Sequence, residues 1–183
     1  MPKILLYVCC APDATQSAEV LRAEGYEVIS FFYNPNVHPA GEYKKRSEAM
    51  LKLGKEMCME TILGEYDFKE WFATMKPRAK DVEGGEACFE CFRIRLDRAA
   101  AETKKLNLPL FTSTLTISPH KDADKINAIG AAVALKYGVN YLPSNFKKKD
   151  GFKKSVELSK KYDLYRQHYC GCSWSLIERR KNP

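Results

Sequence analysis

Short apolar runs alternate with longer amphipathic segments along most of this chain of 183 residues. The apolar runs have the length of β-strands and cover residues 4–8, 26–33, 60–63, 109–114 and 139–142. Apolar residues at helical spacing fill the intervals, in a segment that ends near Gly25 and in residues 42–57, 87–106 and 121–137. Strands that alternate with helices of about ten residues or more predict a Rossmann-like α/β fold, a parallel sheet with flanking helices.

The alternation stops after residue 142. Residues 145–154, NFKKKDGFKK, predict a basic turn that a helix and a tail should follow. We expect residues 1–183 to form a single α/β domain, with 145–183 as a basic, cysteine-bearing C-terminal appendage of that domain. Cys58 stands alone in a helical pattern between two methionines and is expected in the core.

Composition limits the class of protein. Hydrophobic residues make up 45% of the chain, which is enough for a full core. No run approaches the roughly 20 apolar residues that span a bilayer, and the first apolar run is too short for a signal peptide. We therefore expect a cytoplasmic protein without a membrane partner. The net charge of +7 favours a polyanionic partner.

Six of the seven cysteines occur in close pairs: Cys9 with Cys10, Cys88 with Cys91, and Cys170 with Cys172. In a reducing cytoplasm, clustered cysteines are more often metal ligands or redox catalysts than disulfides. The first pair follows the first predicted strand, and ligands of open α/β sheets bind at the carboxyl ends of the strands. The pattern predicts one redox or metal site at that edge.

The ligand types leave the metal open, because thiolates suit structural zinc and iron–sulfur clusters alike. The vicinal pair and the Cys-Gly-Cys pair favour an iron–sulfur cluster, whose ligand spacings are irregular. Cys170 and Cys172 could alternatively close a small, strained disulfide that relays electrons. Asp13 is either a hard oxygen ligand for a metal or the N-cap of the helix that follows.

Several longer motifs, in order along nearly the whole chain, resemble one family. They are CCAP at 9–12, FFYNPN at 31–36, EGGEACFECFR at 83–93, TLTISPHK at 114–121, FKKKDG at 146–151 and YRQHYCGC at 165–172. In these motifs the chain resembles the epoxyqueuosine reductase family QueH. The resemblance implies a fold of the adenine nucleotide alpha-hydrolase-like class.

The resemblance also implies an activity. A member of this family is an iron–sulfur oxidoreductase that removes the epoxide oxygen of epoxyqueuosine at the wobble position of tRNA and leaves queuosine. Carried over by motif, Cys9, Cys10, Cys88 and Cys91 would hold a 4Fe–4S cluster. Cys170 and Cys172 would be a redox-active pair or further metal ligands. An external donor would supply electrons. An additional iron, held partly by Asp13, is a further possible source of the second electron.

Substrate contacts are expected from three groups of residues. Lys148 and Lys149 lie in the basic run, where they either bind RNA phosphates or form a solvated turn. A second group, which would contact substrate or donate protons, contains His120, Lys121, Arg166 and Gln167. His120 could instead cap a helix. Tyr33 and Asn34, at the end of the second predicted strand, would line the site.

Three other functions are compatible with parts of the pattern. A structural zinc protein that binds RNA without catalysis would use the same cysteines. A nucleotide-activating tRNA enzyme would need a Ser-Gly-Gly-x-Asp-Ser-like phosphate loop after the first strand. The chain has Cys-Cys-Ala-Pro-Asp there, and Pro12 lacks a backbone donor for phosphate. A dithiol oxidoreductase without metal is the remaining alternative.

Overall fold

The structure is a computed structural model that describes residues 1–181. Within that range the strands are β1 (Lys3–Val8), β2 (Glu27–Phe32), β3 (Thr61–Leu63), β4 (Leu110–Ser113) and β5 (Asn140–Tyr141). The helices are α1 (Ala11–Ala23), α2 (Ala40–Glu56), α3 (Phe68–Met75), α4 (Glu86–Lys105), α5 (Ala123–Tyr137), α6 (Gly151–Lys161) and α7 (Ser173–Lys181). Short 3-10 helices cover Lys76–Arg78 and Thr114–Ile117.

The five strands form one parallel sheet in the order β3-β2-β1-β4-β5. Leu5 of β1 is paired with Ile29 of β2 on one side and with Phe111 of β4 on the other. The strand order reverses between β1 and β4, and in such sheets the crevice at the carboxyl ends of these two strands binds ligands. The predicted parallel α/β fold is confirmed.

Strand β1 is buried on both faces, which explains its unbroken apolar run. Ile4, Leu6 and Val8 pack in a cluster with apolar residues of α1 and α2. Leu5 and Tyr7 point to the other face, where residues of α4 and α5 cover them. The sheet therefore lies between two helical layers, and β1 brings Cys9 to the centre of its carboxyl edge.

The C-terminal segment packs on the α1 side of the sheet. Phe146 and Leu164 are buried in the same cluster as Ile4 and Val8. Helix α6 begins at Gly151, so the last four residues of the predicted basic turn, 151–154, are helical. A side chain at Gly151 would overlap the backbone oxygen of Phe146, and glycine is required at this close approach. Residues 182 and 183 of the predicted appendage lie outside the described range.

The expectation for Cys58 is wrong. Helix α2 ends at Glu56, and Cys58 follows in a turn with a left-handed φ of 46° and an exposed side chain. Its neighbours Met57 and Met59 are the residues that enter the core. Across residues 1–181, no helix combines the length and apolarity needed to cross a membrane.

Candidate metal centre

The fold gathers the three cysteine pairs at the carboxyl edge of the sheet. Cys9 follows β1 and Cys10 is the N-cap of α1, while Cys88 and Cys91 lie in the first two turns of α4. Cys170 and Cys172 come just before α7. Four of these cysteines line one narrow cavity: Cys88, Cys91, Cys170 and Cys172. Cys88 and Cys170 also line an adjoining groove that Asp13 reaches from the other side.

Cys9, Cys10 and Asp13 form a compact group whose ligand atoms all lie within 4.8 Å of one another. The Cys9 thiol donates to Asp13 Oδ2 over 3.2 Å and lies 3.3 Å from Thr114 Oγ1. Because α1 begins at Ala11, Asp13 lies in the first turn of the helix rather than at its cap. Burial, and then the neighbouring Cys9, raises the pKa of Asp13 to about 8.

The two vicinal thiols have opposite pKa shifts. The hydrogen bond from Cys10 lowers the pKa of Cys9, and burial raises the pKa of Cys10. The two thiols therefore titrate as one pair that shares a proton in the metal-free protein. A metal ion bound here would displace that shared proton, because metal ligands must be deprotonated.

Three of the four cysteines that line the narrow cavity are costly to ionise without a cation. Burial raises the pKa of Cys91 to about 11 and that of Cys172 to about 12, and it raises the pKa of Cys88 as well. The neighbouring Cys170 adds a further upward shift to all three. Thiolates that repel one another in a buried space are a donor set that a thiophilic metal centre stabilises.

The turn that carries Cys170 and Cys172 is fixed from α2. Arg46 donates from Nη1 to the backbone oxygen of Cys170 and from Nη2 to that of Tyr169, at 2.9 and 3.0 Å. Gly171 has a φ of +136°, and a Cβ there would lie 3.0 Å from Val37 Cγ2 and 3.1 Å from Arg46 Nη1. Both cysteines are free thiols in this structure.

Two buried nitrogen atoms in the wall of the narrow cavity support a cofactor there. Trp71 Nε1 and Arg95 Nη2 have no hydrogen-bond partner among the residues that the structure describes, although both side chains are buried. Unpaired buried donors are rare in native proteins. Together with the thiols, these donors fit an iron–sulfur cluster, whose sulfur atoms accept N–H hydrogen bonds.

The adjoining groove has a volume of about 800 Å³ and is lined by four of the predicted substrate residues. They are His120, Lys121, Arg166 and Gln167, and Phe89, Lys125 and Arg179 share the wall with them. Lys121 is partly buried, and although desolvation opposes its charge, the nearby Cys9, Cys170 and Asp13 raise its pKa overall. The groove therefore combines basic and acidic side chains with aromatic surface.

The structure places the other four predicted substrate residues outside the lining of both cavities. Lys148 and Lys149 are exposed. Tyr33 stacks on Phe31, with the Arg98 guanidinium 5.9 Å from its ring centre. Asn34 is 1% exposed; its amide accepts from Tyr7 and donates to the Val8 backbone oxygen. Substrate contact by these four residues stays a prediction.

Sequence reasoning missed Arg46, Trp71 and Arg95. The signal for Arg46 is its i,i+4 spacing from Glu42, and that for Arg95 is its position on the same helical face as Cys88 and Cys91. Trp71 lies on α3, which was not predicted. Its segment is short and carries two charges near its start, so the periodicity is too brief to stand out.

Comparison with known proteins identifies a consistent set of relatives. The family model described as "Epoxyqueuosine reductase QueH" matches residues 4–178. Proteins of that name from Streptococcus pyogenes and Thermotoga maritima are each 38% identical to this chain. The alignments cover 95% of this chain and 70% of the first relative, and 99% and 94% for the second. A Haemophilus influenzae relative is 39% identical, with 98% and 74% covered.

Two solved structures share the fold at low sequence identity. One is described as a predicted subunit of a tRNA methyltransferase from Methanocaldococcus jannaschii, with a TM-score of 0.59, 16% identity, and 97% of this chain and 88% of that chain covered. The other is the U34-tRNA thiolase NcsA from Methanococcus maripaludis with its 4Fe–4S cluster. Its TM-score is 0.60 at 14% identity, with 98% and 63% covered. These likenesses confirm the fold class.

Proposed function

This chain belongs to the epoxyqueuosine reductase QueH family, and from that membership we propose that it reduces epoxyqueuosine to queuosine in tRNA, using an iron–sulfur cluster. The observation that carries the proposal is that four cysteines line one cavity, while Asp13, which is grouped with Cys9 and Cys10, lines the groove that adjoins it. A protein that only bound RNA through structural zinc would need four of these ligands and no open groove beside them.

The reaction breaks both C–O bonds of the epoxide and forms a carbon–carbon double bond. Two electrons and two protons are consumed, and the oxygen leaves as water. We infer an external one-electron donor that acts twice, because a 4Fe–4S cluster carries one electron at a time. Cys170 and Cys172 are either ligands or a redox-active dithiol, whose oxidation to a disulfide releases two electrons.

Cys9, Cys10, Cys88 and Cys91 are our proposed ligands of the cluster, with Asp13 beside Cys9 available to an additional iron. When bound, the cluster supplies electrons at low potential, and an iron at Asp13 supplies Lewis acidity. Thr114 and Asp13 contact Cys9 from two sides and so fix the direction of its sulfur atom.

Residues of the groove would bind the substrate and stabilise its charge. Lys121 extends from the loop before α5 toward Cys9 and Asp13, where its ammonium group can stabilise negative charge that develops on the epoxide oxygen. His120 is exposed at the same wall and is available as a proton donor. Burial raises the pKa of the Cys10 thiol, and the nearby Gln167 side chain offsets part of that shift, which links the substrate wall to the cysteine group.

The groove suits a nucleotide that has left the anticodon stack. Loop nucleotides can be extruded at low cost, and aromatic side chains stack on the free base. Phe89 offers such a ring, with the Lys125 ammonium 4.4 Å from its centre. Arg166 and Arg179 would contact phosphates, and the exposed Lys148 and Lys149 would extend that contact. A tRNA substrate would place the protein in the cytoplasm.

Metal analysis and one assay test the proposal. Protein purified without oxygen should contain about four irons per chain, or slightly more, with about four sulfides. With a chemical reductant it should convert epoxyqueuosine in tRNA to queuosine, detected by mass spectrometry of the digested tRNA. Cys88→Ser should lose cluster and activity, whereas Cys58→Ser, an exposed cysteine away from both cavities, should retain them.

One zinc per chain and no sulfide, persisting after reconstitution with iron and sulfide, would establish the zinc protein instead. Single-turnover assays of Asp13→Ala and Cys170→Ser then separate the sources of the second electron. Full activity of both variants with an intact cluster would exclude a role for either residue in the chemistry.

A further inference from the structure

Two buried N–H groups without acceptors among the described residues face the cavity that the four cysteines line. They belong to Trp71, which is 3% exposed, and Arg95, which is 1% exposed. An unpaired buried donor is costly, because it has lost its hydrogen bonds to water without a replacement. Two such donors in one cavity wall indicate that the cavity normally contains an acceptor.

The position of the Arg95 guanidinium is fixed on its other sides. Nε donates to the backbone oxygen of Cys91 over 3.2 Å, and Nη1 donates to the Tyr7 hydroxyl over 3.3 Å. Tyr7 in turn donates to Asn34 Oδ1 over 2.8 Å. The Phe92 ring lies 5.3 Å from the guanidinium carbon. Of the three nitrogens, Nη2 is the one left without an acceptor in the part of the chain that the structure describes.

Trp71 is held in the same wall by aromatic packing. Its ring lies 5.6 Å from that of Trp174 on α7, and Met75 and Cys91 share its apolar cluster. Burial raises the pKa of the Cys91 thiol, and the nearby indole N–H, as a donor toward that thiol, offsets part of the shift, although the contact falls outside the distance and angle limits of a hydrogen bond. The donor is therefore available to an acceptor in the sulfur-lined space.

We propose that Arg95 and Trp71 donate N–H···S hydrogen bonds to the iron–sulfur cluster and raise its reduction potential. This inference rests on the proposed function, because it requires a cluster whose ligands include Cys88 and Cys91, two of the cysteines that line this cavity. Reduction adds one negative charge to the cluster, and hydrogen-bond donors stabilise the reduced state more than the oxidised one. Arg95 adds a buried positive charge as well, so its effect should exceed that of Trp71.

The test is a redox titration of the loaded protein, followed by electron paramagnetic resonance of the reduced cluster. Trp71→Phe retains an aromatic ring and removes only the N–H, and Arg95→Met removes the charge at similar length. At the potential where the wild-type cluster is half reduced, we expect a clearly smaller reduced fraction in both variants. Arg95→Lys should lie between wild type and Arg95→Met, because it keeps the charge without the planar donor.

Arg98→Met is the matched control. Arg98 lies on the same helix and also has a buried Nε without a partner in the described chain, but it does not line the four-cysteine cavity. Its removal should leave the cluster potential at the wild-type value. A shift as large as that of Arg95→Met would mean that any loss of positive charge from α4 has this effect, which would overturn the hydrogen bonds as its cause.

The outcomes distinguish this proposal from the proposed function. A protein that takes up no cluster overturns both. A loaded, active protein in which Trp71→Phe and Arg95→Met keep the wild-type potential overturns the hydrogen bonds alone. If Arg95→Met does not fold, Trp71→Phe decides the question, since a phenylalanine fits the space of the indole.

Discussion

Arg46 Nη1 donates a hydrogen bond of 2.9 Å to the backbone oxygen of Cys170, which lies 124 residues further along the chain. The guanidinium is 2% exposed and is paired with Glu42, whose other oxygen accepts from the Tyr165 hydroxyl. This buried network connects α2 to the turn that carries Cys170. The position of that turn therefore depends on a helix that is distant from it in sequence.

Arg46→Met should strongly destabilise the metal-free protein. Removing one partner of a buried ion pair leaves Glu42 uncompensated and costs about 3–5 kcal/mol in the free energy of unfolding. Urea unfolding under reducing conditions would measure the change. Arg93→Met is the control, because Arg93 and Glu90 form an exposed pair, which contributes about 1 kcal/mol at most. Equal effects of the two variants would contradict the buried network.

Gly171→Ala should disturb the cysteine turn. Its backbone is in a region that L residues rarely adopt, and the new Cβ would press on Val37 and Arg46. We expect a loss of about 1–3 kcal/mol in unfolding free energy and a lower iron content after reconstitution. Gly138→Ala shares the positive φ but meets open space, so it should lose stability with unchanged iron content. Wild-type iron content in Gly171→Ala would refute this requirement for glycine.

Asp13 should make the metal-free protein less stable as the pH rises. Its pKa is about 8 in the folded protein and about 4 in an unfolded chain. Between those values the folded state retains a proton that the unfolded state has released. Stability from this group is therefore complete below about pH 4 and is lost as the pH rises through 8. Unfolding experiments at pH values of about 5, 6.5 and 8 should show a steeper decline in wild type than in Asp13→Asn. Parallel curves would contradict the raised pKa.

Charge reversal can separate the two candidate tRNA surfaces. Lys125→Glu alters the groove, and a double variant with Lys148→Glu and Lys149→Glu alters the exposed turn. For every phosphate that a variant no longer binds, the affinity should fall and the slope of log Kd against log salt should decrease by about 0.7–0.9. Fluorescence anisotropy with labelled tRNA would measure both. Lys160→Glu on the exposed side of α6 is the control; an equal effect there would mean that net charge alone governs binding.

The central strand β1 and the cysteine pair that follows it could be predicted because the apolar pattern of the sequence agrees with a general rule for where α/β sheets bind ligands. The apolar run of β1 marks a strand buried on both faces, and the position rule for α/β sheets then locates Cys9 and Cys10 at the ligand edge. The convergence of Cys88, Cys91, Cys170 and Cys172 depends on tertiary packing. The spacing of these four cysteines along the sequence carries no information about how close they lie in the folded protein.

The two buried arginines of the site were missed for a different reason. Arginine is usually exposed, so Arg46 and Arg95 look like ordinary surface residues of amphipathic helices. Their burial is possible only because backbone oxygens, Glu42 and Tyr7 accept from them in the folded chain. Cys58 is the opposite case. Its neighbours in the sequence, Met57 and Met59, are apolar, but a turn exposes its side chain.

The wide separation of the cysteine pairs along the chain has a consequence for biogenesis. During synthesis, Cys9 and Cys10 leave the ribosome first, and Cys170 and Cys172 follow only after the whole sheet has been made. Cys88 and Cys91 appear midway, so early in translation the thiols are unprotected and the site is incomplete. Delivery of a cofactor that needs all three pairs must therefore follow translation of residue 172. A nascent chain arrested earlier would expose oxidisable thiols, because the segments that bury them would not yet have been made.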